Sequence, residues 1–317
     1  MAEIEDERSG DVIGASGGVE PPAGTATLAG RQVARIGFGA MQLPGGPRVW
    51  GPPRDRDTAL AVLRRAVELG VNHIDTAHFY GAGVSNELIH AALHPYPEDL
   101  VLVSKVGADR DDRGDWIQAQ RPEQLRAGVE ANLRSLAVER VDVVNLRLVE
   151  AGEGARSRAD QRVDLDGQLA EMVSLRDEGK IGGIGVSNVT IDQLRRALPA
   201  GIACVQNAYS VLDRSGEPLL DLCREHGVAW VPYFPLGSAF PGLAKVTEHP
   251  AVMAAAAALV ATPAQVGLAW LLAHGPHVLL IPGTSSLAHL AENVATAKVR
   301  LDPETMGVLD ALAAPPG

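Results

Sequence analysis

Short runs rich in Val, Ile and Leu recur along the chain, and between them the apolar positions fall at helical spacing. The runs are "VARIGFG" from Val33, "NHIDTA" from Asn72, "LVLVSKV" from Leu100, "VDVVNLRLV" from Val141, "GGIGVSN" from Gly182, "ACVQNAY" from Ala203, "VAWVPYF" from Val228 and "HVLLIPG" from His277. Most are apolar at consecutive positions, the pattern of parallel strands covered on both faces. The stretch "DRDTALAVLRRAVELG" has an acidic start, apolar positions at Leu60, Leu63 and Val67, and Gly70 at its end. "RPEQLRAGVEANLRSLAV" places Pro122 in a first helical turn, where its missing N–H costs nothing. Helical patterns also begin soon after Tyr80 and run from about Gly167 to Glu178, Ile191 to Leu198, Glu217 to His226, Pro263 to His274 and Leu287 to Ala297.

About eight strand–helix units over roughly 250 residues predict a (β/α)8 TIM barrel in the α/β class. A doubly wound nucleotide-binding sheet is the alternative. Its fingerprint needs a third glycine in "GFGAMQ", where Gly37 and Gly39 are followed by Gln42, so the barrel is preferred. Met1 to about Gly24 is rich in Gly, Ser, Glu and Pro and reads as a flexible tail, leaving residues 25–317 as one domain.

Composition narrows the function. Asp and Glu number 39 against 28 Lys and Arg, a formal charge of -11 that disfavours nucleic acid and anionic membrane as partners. A small-molecule ligand is expected instead. Cys204 and Cys223 lack metal or redox spacing and read as buried free thiols. With no membrane-length apolar run and no basic-then-apolar amino terminus, a cytoplasmic location is expected.

Several apolar runs end in polar residues: Asp75, Ser104 with Lys105, Asn145 with Arg147, Ser187 with Asn188, Gln206 with Asn207, and Tyr233. In a barrel these strand ends meet on one rim, the one that carries active sites. Any one of them is explained by a turn cap or an ion pair; their convergence is not. Asp75, Tyr80 and Lys105 then form a chemical set. An ammonium stabilises a phenolate, a carboxylate keeps that ammonium charged despite burial, and the phenol can protonate a developing alkoxide.

These residues resemble the aldo-keto reductase family. "HIDTAHFYGAGVSNELIHAAL" is similar to its signature, "LVLVSKVG" to its lysine strand, "GIGVSN" and "VQNAYS" to its carboxamide contacts, "VPYFPLG" to the segment whose Tyr stacks on nicotinamide, and "IPGTSSLAHLAENVAT" to its cofactor clasp. The resemblance runs from about Thr25 onward and implies NADPH-dependent reduction of an aldehyde or ketone on a (β/α)8 barrel. By motif position it implies Tyr80 as proton donor tuned by Asp75 and Lys105. It further implies Ser187, Asn188 and Gln206 on the carboxamide, Tyr233 beneath the ring, and Gly283, Thr284, His289, Glu292 and Asn293 at the adenosine end. Thr284 and His289 fall nearest the 2′-phosphate, although Thr284 and Ser285 would equally cap the helix from Leu287.

One departure is plain. By the resemblance, usual members of the family carry a His where this chain has Arg147, and guanidinium brings a permanent charge and several donors in place of one imidazole N–H. Arg147 would polarise a carbonyl or receive an anionic substrate group; turned away, it would pair with Glu150 or another acid. The "DVVNLR" form resembles a bacterial branch that includes pyridoxal reductases, which implies pyridoxal as a candidate substrate. The competing reading is an NADPH-binding regulatory or interaction protein in which Arg147 marks lost catalysis. A metal-dependent hydrolase would need ligands that His73 and His78 alone do not supply. Trp116 and Phe240 are expected as walls of the substrate pocket, on rim loops.

Overall fold

A computed structural model of the chain describes residues 20–45, 49–148, 161–237 and 244–313. Strands β1 (Thr25–Leu28) and β2 (Arg31–Ala34) form an antiparallel hairpin. Strands β3 (Phe38–Gly39), β4 (His73–Asp75) and β5 (Val101–Val106) then begin a parallel sheet. A second hairpin, β6 (Ala108–Arg110) with β7 (Trp116–Gln118), rises from the end of β5. The sheet continues with β8 (Val141–Arg147), β9 (Ile181–Ser187), β10 (Ile202–Gln206) and β11 (Ala229–Trp230), all parallel.

Residues 278–280 close the sheet. Leu279 N donates to Trp230 O (2.9 Å) on one side; on the other, Gly37 N donates to Leu280 O (2.7 Å) and Leu280 N to Arg35 O (2.8 Å). Parallel bridges join Trp230 to Val278 and Ile36 to Leu280. The result is the expected (β/α)8 barrel. Its helices are α1 (Arg56–Glu68), α2 (Val84–Leu93), α3 (Pro122–Leu136), α4 (Leu165–Asp177), α5 (Ile191–Ala197), α6 (Glu217–His226), α7 (Pro250–Ala258), α8 (Pro263–Ala273), α9 (Leu287–Ala295) and α10 (Pro303–Asp310). Sequence signals start several of them: Asp55 caps α1 through the Asp57 and Thr58 amides, and Thr262 with Gln265 forms a capping box on α8.

The two-residue period of the strands divides the core. Phe38, Ile74, Leu102, Val144, Ile184, Val205 and Leu280 pack outward against the helices. Val101, Val103, Val143, Cys204, Ala229, Val231 and Leu279 point into the barrel, with Leu28 and Val33 of the β1–β2 hairpin plugging its amino-terminal end. Removing each such aliphatic side chain from water contributes about 1.5–3 kcal/mol. Both cysteines are free and buried, as expected, and burial pushes the Cys223 thiol up to about 12.

Four expectations need revision. "VARIGFG" is two elements, hairpin strand β2 and barrel strand β3, split at residues 35–37. The segment 108–118, expected as a rim loop, is the β6–β7 hairpin. Helix α7 was not anticipated because "PAVMAAAAA" is apolar all round and shows no helical period. Helix α10 was not anticipated either, although Asp302 caps it by accepting from Thr305 N. Phe240 and Glu150 lie outside the described residues.

The interior holds one titratable oddity. His73 is 1% exposed, with no hydrogen-bond partner on either ring nitrogen among the described residues. Gly37 leaves the room it needs, since a Cβ there would stand 2.2 Å from His73 Nε2. Burial pushes its pKa down to about 4, opposed weakly by the nearby Ala34 backbone outside hydrogen-bond geometry. The unfolded chain therefore takes up this proton first. Stability from His73 is complete above the ordinary imidazole value and is lost as pH falls from about 6.5 to 4, a loss of roughly 3 kcal/mol. Urea midpoints at pH 7 and 4.5 should show that loss in the parent chain and a smaller one in His73→Met; equal acid lability would refute the assignment.

Candidate active site

Inward-pointing positions continue to the carboxyl ends of the strands, where they turn polar. Val101, Val103 and Lys105 share one face of β5; His73 and Asp75 share one face of β4; Cys204 and Gln206 share one face of β10. Arg147 pairs with Ser187 and Gln206 also pairs with Ser187, so these ends are neighbours around the rim.

Asp75 is the hub. Its Oδ1 accepts from Lys105 Nζ in a short contact, and its Oδ2 accepts from Gln206 Nε2 at 2.7 Å. Lys105 Nζ also donates to Thr76 O (3.1 Å) and stands 5.0 Å from the centre of the Tyr80 ring. Asp75 and Lys105 are 2% and 5% exposed, so solvent screens this pair little. Burial alone would discharge Lys105, but Asp75, and then Tyr80, outweigh it, and its pKa lies above the usual lysine value. The ammonium therefore stays charged through neutral pH. A buried polar chain braces the pair from behind: Thr76 Oγ1 donates to Asn86 Oδ1 (2.8 Å), Asn86 Nδ2 to Asn132 Oδ1 (2.9 Å) and Ser104 Oγ to Asn132 Oδ1 (2.6 Å). It ties β4 and β5 to α2 and α3.

Tyr80 stands beyond the strand, on a loop, with 6% exposure. Phe79 meets it edge-on at 5.3 Å. The backbone then turns left-handed three times in succession, at Gly81 (φ 68°), Ala82 (φ 52°) and Gly83 (φ 99°), before α2 begins. Two of these suit glycine; Ala82 carries a strain of order 1–2 kcal/mol.

Asp75, Tyr80, Lys105 and Gln206 open into a cavity of about 960 Å³. Tyr233, Gly283, Thr284, His289, Glu292 and Asn293 line the same cavity, so ten predicted residues converge there. At these strand ends two buried polar atoms have no partner among the described residues: Ser187 Oγ, whose residue is not a wall of the cavity, and Gln206 Oε1. The bond to Asp75 fixes the latter: a carboxylate only accepts, so Gln206 must present its NH2 there and keeps its oxygen free. Asn188 (φ 61°) is committed to the protein, donating to Leu148 O (2.8 Å) and accepting from Tyr233 OH (3.2 Å). It acts on the cavity through Tyr233. Arg147 is half-buried at the rim, its guanidinium 5.7 Å from the Tyr233 ring, and is not a wall of the cavity. Trp116 is not a wall either; it packs against Phe79 at 5.1 Å.

The far end of the cavity is framed by two helix starts. Thr284 Oγ1 accepts from Ser286 N (3.0 Å), and Ser286, not Thr284 or Ser285, caps α9 by accepting from His289 N (3.4 Å). Thr262, Pro263 and Ala264 bring the start of α8 to the same wall. Sequence reading began that helix at Pro263, as observed, but did not bring its start to the cavity, which depends on contacts between distant segments. It also gave no site role to Gln42 or Leu236, which line the cavity although both lie in stretches quoted for other reasons. Among the described residues no group of three or more His, Cys, Asp or Glu could hold a metal ion.

Comparison with known proteins agrees with this geometry. The sequence profile described as "Aldo/keto reductase family" matches residues 35–314. Pyridoxine 4-dehydrogenase of Escherichia coli is 44% identical over 289 residues, covering 91% of this chain and 98% of that protein. An uncharacterized oxidoreductase of Schizosaccharomyces pombe is 35% identical, covering 91% of this chain and 89% of that protein. Among solved structures, a thermostable aldo-keto reductase in complex with epalrestat superposes with TM-score 0.76 at 30% identity, covering 91% of this chain and 99% of that one. An aldo/keto reductase of Klebsiella pneumoniae in complex with NADP and acetate superposes with TM-score 0.75 at 27% identity, covering 94% and 97%.

Proposed function

The chain belongs to the aldo/keto reductase family, and on that premise we propose that Tyr80, Lys105, Asp75 and Arg147 perform its chemistry on pyridoxal or a closely similar aromatic aldehyde. The general activity is that of the family: NADPH-dependent reduction of a carbonyl to an alcohol. The observation that carries the residue assignment is the Asp75 hub, which joins a charged buried lysine beside a tyrosine to a glutamine that lines the same cavity and whose oxygen has no partner among the described residues.

The residues fit the cofactor. Ser187 Oγ and Gln206 Oε1 are buried polar atoms that want partners, and a carboxamide offers a donor to one and an acceptor to the other. Tyr233, steadied by Asn188, would support the nicotinamide ring. Gly283, Thr284, His289, Glu292 and Asn293 would hold the adenosine end, with helix starts favouring phosphate. When bound, NADPH supplies the hydride. Tyr80 then donates its hydroxyl proton to the carbonyl oxygen, and Lys105 stabilises the phenolate left behind, held charged by Asp75. The cavity is buried enough that these charges act with little screening.

Arg147 supports the narrower substrate. Pyridoxal bears a readily ionised ring hydroxyl beside its aldehyde, and a rim guanidinium next to Tyr233 would pair with it. The similarity to pyridoxine 4-dehydrogenase points the same way. NADPH consumption against pyridoxal, simple aromatic aldehydes and sugar-like ketones tests this reading, and a preference for sugars would overturn it. Arg147→Met should cut kcat/KM for pyridoxal by roughly tenfold or more and leave an uncharged aromatic aldehyde within about threefold. An equal fall for both would show that Arg147 serves the carbonyl or the fold, not the ring hydroxyl. The alternative of a regulatory NADPH-binding protein requires tight binding without consumption, and the assembled Asp75, Tyr80 and Lys105 weigh against it.

A further inference from the structure

We propose that Arg110 is a positioning residue for the reaction: from the β6–β7 hairpin it grips the backbone on both sides of Tyr80 and sets where the phenol stands. The inference rests on the reading of Tyr80 as proton donor.

Tyr80 needs such a grip. It lies beyond the end of β4, so no barrel ladder sets its height, and the three left-handed residues after it are a conformation the chain does not adopt unaided. Arg110 is only 8% exposed. Its Nε donates to Phe79 O (3.0 Å), the carbonyl of the peptide that leads into Tyr80. One terminal nitrogen, Nη2, donates to Val49 O (3.3 Å), and that same oxygen accepts from Gly81 N (3.1 Å), the first amide after Tyr80. The other, Nη1, donates to Gly114 O (2.9 Å) and ties the fork to its own hairpin turn. One guanidinium therefore reaches the peptides before and after the phenol, the second through Val49.

The aromatic surroundings make this a built arrangement. The Arg110 guanidinium carbon lies 3.6 Å from the Trp116 ring centre and 5.9 Å from that of Trp50. Trp116 packs on Phe79 and Phe79 on Tyr80, so the stacked cation and the hydrogen bonds bear on one short segment from two directions. Ala77, Phe79 and Tyr80 form a small apolar cluster of their own, separate from the main core, with Met41, Val49, Ala108 and Trp116 packed on it. The core cannot fix that segment directly.

Stability alone does not explain a cation here. Burial pushes the Arg110 pKa down to about 10, opposed by Tyr80, Asp115 and Asp109. An apolar side chain of similar volume would fill the slot between the tryptophans with less desolvation. What it would not supply is a planar fork with donors to Phe79 O and Val49 O. Proton transfer requires the donor within a few tenths of an ångström of its productive position, and a displacement near 1 Å can cost about a hundredfold in rate. That sensitivity gives the fork a catalytic consequence.

The test uses the full chain with saturating NADPH and an uncharged aromatic aldehyde. Arg110→Met should lower kcat roughly 10- to 100-fold while KM and the NADPH Kd, read by cofactor fluorescence, stay within about threefold. Arg110→Lys, which keeps a charge but not the fork, should remain low. Combined with Tyr80→Phe, Arg110→Met should add almost nothing to the loss, because its effect passes through the phenol. A kcat within twofold of the parent, full recovery in Arg110→Lys, or an undiminished further loss on top of Tyr80→Phe would each overturn the proposal. Should Arg110→Met not fold, Arg110→Lys is read alone and in the Tyr80→Phe background by the same criteria. If Tyr80→Phe itself keeps its turnover, the reading of Tyr80 falls; if that variant is inactive while Arg110 variants match the parent, only the inference about Arg110 falls.

Discussion

The Tyr80→Phe variant is expected to lose roughly three orders of magnitude in turnover, with NADPH affinity within about threefold of the parent. The substitution removes one hydroxyl and keeps the ring, so the edge-on packing against Phe79 and the apolar cluster around it survive. What disappears is the proton delivered to the carbonyl oxygen. Lys105 cannot stand in, because its ammonium is engaged by Asp75 and Thr76 O and is held charged there. Steady-state rates with a fixed aldehyde, beside fluorescence titration with NADPH, separate the two effects. Turnover within tenfold of the parent would remove Tyr80 from the reaction.

Lys105→Met should be damaging twice over. It leaves the Asp75 carboxylate buried with Gln206 as its remaining side-chain donor, a change worth about 3–5 kcal/mol of stability, and it removes the charge beside Tyr80. The two losses can be separated by also neutralising the acid. Lys105→Met with Asp75→Asn replaces a charged pair by two uncharged groups, so urea unfolding should recover most of the lost stability. Turnover should not recover. A double variant that regained activity along with stability would mean that Lys105 serves the fold alone.

Much of this site is legible in one sequence because a barrel strand has a period of two. Once "LVLVSKV" is aligned so that Val101 and Val103 face inward, Lys105 must follow them, and the same parity carries Asp75, Gln206 and Tyr233 to one rim. The sequence does not reveal what depends on contacts between distant segments. Asp75 accepts from Gln206 across 131 residues of chain, and no local pattern marks that bond. The β1–β2 hairpin was hidden because its turn uses Ala29 at φ 48° before Gly30, without the Asn-Gly or Asp-Gly that announces such turns. The strand from Val228 is regular only over Ala229–Trp230, its pairing continuing as isolated bonds to Tyr233 before the left-handed Phe234, after which the chain lines the cavity. Arg110 gave no signal at all: in "GADRDDRGDW" it is one charge among six, and its burial arises only when the second hairpin folds back over Phe79.

Among the described residues, the plug formed by Leu28 and Val33 fills the amino-terminal end of the barrel. With that end filled, both reactants would share the doorway at the carboxyl ends of the strands, where Arg147, Ser187 and Gln206 are register neighbours. Dinucleotide and aldehyde would then have to come and go by the same opening, so traffic of one would be felt by the other.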